Sequence, residues 1–75
     1  MTNNNTLTYT YDPEVDVFTA SLDGRELATF ELDYDRGDWR VTYGPNSNWQ
    51  YVHWTPTEHQ ARAWIQEQGP QLLHP

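Results

Sequence analysis

From Leu7 the chain alternates apolar and polar positions, with Leu7, Tyr9 and Tyr11 separated by Thr8 and Thr10. A period of two places one face of a strand in a core and the other in water. Asp12-Pro13-Glu14 interrupts it. Two further stretches, Asp16 to Leu22 and Glu26 to Tyr34, set Phe18, Ala20 and Leu22, then Ala28, Phe30, Leu32 and Tyr34, on even positions. A two-residue Asp23-Gly24 turn would pair odd positions with even ones and split that face. The pattern therefore predicts a three-residue connection with a bulge and a left-handed Gly24, so that Phe18, Ala20, Ala28 and Phe30 share one side. Trp39, Val41 and Tyr43 fall on odd positions, which calls for an even connection. An Arg36-Gly37 turn, or a loop over Asp35 to Asp38, sets Tyr34 opposite Trp39, Leu32 opposite Val41 and Asp33 opposite Arg40. By the same parity a loop over Asp12 to Val15 sets Tyr9 opposite Phe18. Gly44 to Asn48 reads as a turn and Trp49 to Trp54 as a last strand.

The period then changes. Thr55-Pro56-Thr57-Glu58 offers a capping hydroxyl, a proline for the first helical position and a carboxylate three residues beyond the cap. Ala61, Trp64 and Ile65 continue at helical spacing, and Gly69-Pro70 closes the helix, predicting a span of about residues 56–68. The fold class is thus α+β: a four- or five-stranded antiparallel β-meander with one C-terminal helix packed on one face. Residues 1–6 are expected to be a flexible N-terminus and residues 7–75 one small domain. Leu72 and Leu73 lie in a short tail that either tucks under the sheet or meets a partner.

Composition sharpens this picture. Among 75 residues there are four Trp, five Tyr and two Phe, so rings have to supply much of the core. Eleven acidic residues face four basic ones, all Arg, for a formal charge of −7. Phosphate neutralisation needs a basic face, so direct nucleic-acid binding is excluded. There is no cysteine, hence no disulfide and no thiolate chemistry. No apolar run approaches the ~18 residues of a membrane span, and the Thr/Asn-rich start lacks a signal peptide's pattern, so a cytoplasmic location is expected.

Candidate chemistry is sparse. Glu31 and Asp33 with His53 would be the pairing for acid-base work, but the polar face of a strand forms no cleft of the kind a general acid needs. His53, His59 and His74 show no metal-ligand spacing, Ser21 and Ser47 lack a nucleophile context, and no phosphate-binding glycine loop is present. The chain is expected to be no enzyme and to carry no metal or cofactor. What remains is acidity. Asp12, Glu14 and Asp16 alternate around the first turn, and Glu31, Asp33 and Asp35 along a strand, extended by Asp38. Alternate strand positions lie roughly 6.8 Å apart, close to the repeat of charge along a nucleic-acid backbone.

The meander ending in Trp54-Thr-Pro-Thr-Glu58, with Ala61 and Trp64 on the following helix, resembles the sheet-plus-helix pattern of integrase arm-binding domains over about half the chain. Those domains read DNA with basic strands, whereas this sheet carries Glu31 and Asp33. As a class the chain also resembles the small acidic phage-encoded inhibitors, anti-CRISPR and anti-restriction proteins among them, and immunity proteins that mask basic nucleases. Charge, small size and the absence of catalytic motifs, with these class likenesses beside them, lead to the expectation of a non-enzymatic, DNA-mimic-like inhibitor that masks a basic, nucleic-acid-handling protein. Its site residues would be Glu31, Asp33, Asp35 and Asp38, with Asp12, Glu14 and Asp16 as a second patch. The alternatives are an aromatic interaction module anchored by Trp49 and Tyr51, an antitoxin, or a homo-oligomeric virion component. Monomer and dimer are equally open.

Overall fold

The computed structural model describes residues 7–45 and 49–73. The readings of residues 1–6 as flexible and of Asn46 to Asn48 as part of a turn lie outside the described residues. Five strands, β1 (Leu7–Asp12), β2 (Val17–Leu22), β3 (Arg25–Asp33), β4 (Asp38–Tyr43) and β5 (Tyr51–Thr55), form one antiparallel sheet in sequence order. A single helix, α1 (Glu58–Gln68), and a 3-10 turn over Gly69–Leu73 follow. The architecture is the expected α+β meander with one C-terminal helix on the sheet.

The apolar face is continuous, with the predicted bulge and left-handed Gly24, but the connection is shorter than expected and the bulge lies within β3. Asp23 (φ 53°) and Gly24 (φ 80°) form a two-residue turn closed by Leu22 and Arg25, not a three-residue connection. Both central residues are left-handed, the geometry whose twist matches the strands and for which Asp-Gly is suited. Parity is restored inside β3. Ala20 pairs with Ala28 but Ser21 pairs with Glu26, so Leu27 is an extra, bulged residue. Leu27 and Ala28 are both fully buried. Phe18 pairs with Phe30, and the four residues share one side as anticipated.

The other two hairpins differ in register from expectation by one pleat each. Tyr11, not Tyr9, lies opposite Phe18; Leu32, not Tyr34, lies opposite Trp39; Phe30, not Leu32, lies opposite Val41. The register differs because Asp12 and Asp33 end their strands and cap the loops. Asp12 Oδ1 accepts from the Glu14 amide, and Asp33 Oδ1 from those of Asp35 and Arg36, each at 3.0 Å. In each loop the fourth residue past the aspartate returns an amide to its carbonyl, Asp16 to Asp12 at 2.8 Å and Gly37 to Asp33 at 2.7 Å. Those fourth residues are left-handed, Asp16 at φ 59° and Gly37 at φ 81°. Asp and Gly are among the residues that tolerate this conformation. Moving by two positions keeps every side chain on its face. Tyr34 and Asp16, expected in strands, belong to the loops.

The helix starts later than predicted. Thr57, not Thr55, is the cap; its Oγ1 accepts the Gln60 amide at 3.1 Å, while the Thr55 hydroxyl donates to the Thr57 carbonyl. Pro56 therefore precedes the helix. Likewise the last strand is Tyr51–Thr55, with Trp49 outside it. At the other end the Gly69 amide donates to the Ile65 carbonyl, and the chain turns back so that Leu72 and Leu73 are buried. The tail is tucked in. Ala61, Ile65, Leu72 and Leu73 meet Ala20, Leu22, Leu27, Ala28, Phe30 and Val41 in the core. Phe30 is the one fully buried ring; Tyr9, Phe18, Trp39, Tyr43 and Trp64 are half-buried around it. The centre is thus aliphatic with an aromatic wall.

Phe30 stacks on Phe18 at 5.1 Å and meets Tyr9 edge-on at 6.0 Å. Removing it should cost about 3–5 kcal/mol, comparable to the whole stability of a domain this small. Phe30→Ala is expected to be unfolded by circular dichroism at 25 °C, whereas Thr57→Ala should stay folded and lose about 1 kcal/mol in urea denaturation.

Candidate functional site

In a meander the first and third connections fall at the same end of the sheet, two strand spacings or about 10 Å apart. Loop residues 13–16 and 34–37 therefore sit side by side, and the two acidic stretches that are separate in sequence become one end of the molecule. Tyr34 joins them. Its hydroxyl donates to Asp16 Oδ2 at 2.6 Å, and the Tyr11 hydroxyl donates to Asp16 Oδ1 at 2.6 Å. These two donors hold the Asp16 carboxyl below its ordinary range, while the same bonds and the nearby negative charge push both phenols up.

The seven predicted carboxylates fall into four groups. Glu31 lies on the uncovered sheet face opposite Arg40, whose Nη2 donates to Glu31 Oε2 at 3.0 Å; the expected partner, Asp33, lies instead opposite Asp38. Asp38 takes two bonds from Arg36, at 3.0 and 3.1 Å, which lower its pKa. Arg36 is further fixed by its guanidinium, 3.6 Å above the Trp54 ring. Asp12 and Asp33 cap their loops, and Asp16 holds the tyrosines. Glu14 and Asp35 remain, exposed at the loops and in no ion pair among the described residues. The strand does not carry the evenly spaced ladder expected of Glu31, Asp33 and Asp35, because β3 ends at Asp33. The charges form a rim instead.

Comparison with protein families, curated proteins and solved structures yields no match. Among the described residues no cluster of three His, Asp or Glu side chains is arranged to hold a metal ion, and no helix is long and apolar enough to cross a membrane.

The aromatic alternative has its own place. Tyr51, 42% exposed, stacks on Tyr43 at 5.5 Å, and Trp49 is half-buried just ahead of β5. Next to them His53 lies flat on Trp64, with ring centres 4.0 Å apart and planes 8° from parallel. Burial there lowers the His53 pKa. On the far side of the helix Arg62 lies 4.5 Å above the Tyr9 ring and pairs with Glu58 at 2.9 Å. Sequence reasoning missed Tyr34 and Tyr11. Their signal lay in the shared spacing Asp12…Asp16 and Asp33…Gly37, an aspartate followed four residues later by a residue that tolerates positive φ.

The Asp16 carboxyl titrates lower in the folded chain than in the unfolded one, so its contribution to stability is present above the ordinary value near 3.8 and is lost as pH falls through the folded value. Tyr34→Phe removes one of the two donors. In a carbon-detected NMR titration the Asp16 pKa is expected to rise toward 3.8 in that variant, and the acid limb of a stability-pH profile to move to higher pH. An unchanged Asp16 titration would mean that the two loops are not joined in solution.

Proposed function

We propose that this protein is a non-catalytic binding protein whose acidic loop end covers a basic surface of a nucleic-acid-handling partner and so inhibits it. The observation that carries this reading is the convergence of Asp12, Glu14, Asp16, Asp33 and Asp35 on two adjoining loops of matching build, with Glu14 and Asp35 exposed and in no ion pair among the described residues. A net charge of −7 adds long-range attraction toward a basic partner and repulsion from nucleic acid itself. The loops are also pre-set. Two aspartate caps, two returning amides and the Tyr34–Asp16 bond fix their shape, so little conformational freedom is left to lose on association.

The arrangement as a compact rim favours a basic patch or cleft over a long groove tracked phosphate by phosphate. Inhibition by masking follows from chemistry: carboxylates held at a rigid edge compete for the arginines and lysines that would contact phosphate. The class of phage counter-defence factors and immunity proteins fits such an action.

Glu14 and Asp35 are the residues to alter, because Asp12, Asp16 and Asp33 also shape the loops. Glu14→Lys/Asp35→Lys is expected to keep the thermal midpoint of the parent while weakening capture of the partner from a lysate about tenfold and flattening its dependence on salt. Recovery of the same proteins by parent and variant with the same salt profile would reject the acidic end as the binding site.

A further inference from the structure

At β5 the sheet ends in an edge that has a helix beside it. β5 is bonded to β4 on one side only, and no backbone bond outside that ladder reaches it among the described residues. In an antiparallel pair alternate residues turn both N–H and C=O away from the partner strand, so the outer side of β5 carries a row of donors and acceptors ready for another strand. Alongside runs a groove of about 400 Å³. Its strand wall is His53 to Pro56. Its helix wall is Gln60, Ala63, Trp64 and Glu67, residues at i, i+3, i+4 and i+7 that form a single stripe of α1.

We propose that this groove receives an extended peptide segment of a partner protein, which adds to β5 as a sixth strand and sets a lysine or arginine against Glu67. Ala63 is exposed and small, which leaves room between strand and helix for alternate side chains of the incoming segment. The stacked His53 and Trp64 rings give that space a flat floor. Charge selects the occupant. Glu67 is the carboxylate of the groove, no arginine lines it, and the chain as a whole carries −7, so a cationic strand is drawn in and an acidic one repelled. A second copy of this chain does not supply such a strand. It has no lysine, three of its four arginines are in ion pairs, and the fourth, Arg25, opens the internal strand β3 opposite Leu22 at the Asp23-Gly24 turn, not on an edge strand. The other edge strand, β1, holds no cation at all. None of the residues lining the groove belongs to the acidic loops, so the two sites are tested at different residues.

The test uses the full chain, isotope-labelled for amide NMR and titrated with a capped peptide of about nine alternating valine and arginine residues. Two further peptides carry N-methyl groups on one or the other set of alternate residues. Saturable shifts confined to Tyr51–Thr55 and residues 60–67 are expected, with one N-methylated peptide binding like the parent and the other about tenfold or more weaker, since only alternate residues bond to an edge. Ala63→Phe, at an exposed position, should keep the thermal midpoint and abolish those shifts; Glu67→Gln should weaken binding about threefold. Equal binding by both N-methylated peptides would overturn strand addition. So would shifts that fall on residues 13–16 and 34–37 and survive Ala63→Phe, or concentration-dependent shifts of β5 without any peptide, which would give the groove to a second copy.

Discussion

A sheet with a cover on one side only has to keep its apolar side chains on that side, and the three connections from β1 to β4 are fitted to the demand. Two four-residue loops preserve the parity of β1 with β2 and of β3 with β4. The Asp23-Gly24 turn alone would break it, and the bulge at Leu27 mends it within a few residues of the turn. Because the mend delivers Leu27 and Ala28 to the same side, the correction also enlarges the core. Everything else follows: one stripe of helix, with Ala61 and Ile65, and two leucines of the tail are enough to close the face.

The uncovered side is built by the same constraint in reverse. Thr10, Thr19, Thr29 and Thr42 follow one another across four strands, with Val52 on the fifth, and the Thr29 and Thr42 hydroxyls share a hydrogen bond. Branched, hydroxyl-bearing residues suit a strand surface that must stay wet without loosening. The Glu31–Arg40 pair and the Arg36 guanidinium over Trp54 occupy the next part of that face. Two of the four cations are thereby spent on local neutralisation, which leaves the loop end with its surplus of negative charge.

How far the sequence reveals all this can be followed residue by residue. Alternation of Leu7, Tyr9 and Tyr11, the even set from Phe18 to Leu32 and the odd set from Trp39 to Tyr43 carry the strands and their shared face, because burial on one side leaves a period of two that no loop can hide. Absolute register was not legible, since sliding a hairpin by two positions keeps that period; what decides it is whether Asp12 and Asp33 serve the strand or cap the loop. Thr55 and Thr57 pose the same ambiguity at the helix start, where either hydroxyl fits the grammar and only the direction of the chain leaving β5 selects Thr57. The acidic residues were visible as a list, but their meeting at one end, and the tyrosine that ties them, depend on topology.

The sequential strand order has a consequence for how such a chain comes into being. Each strand pairs with the one made just before it, so a ribosome releasing the polypeptide offers every segment its neighbour within a few residues of synthesis. The helix and the tail, made last, reach back across the sheet, Arg62 as far as Tyr9 of β1 and Ala61, Ile65, Leu72 and Leu73 into the shared core, and so close the face that the successive hairpins leave open.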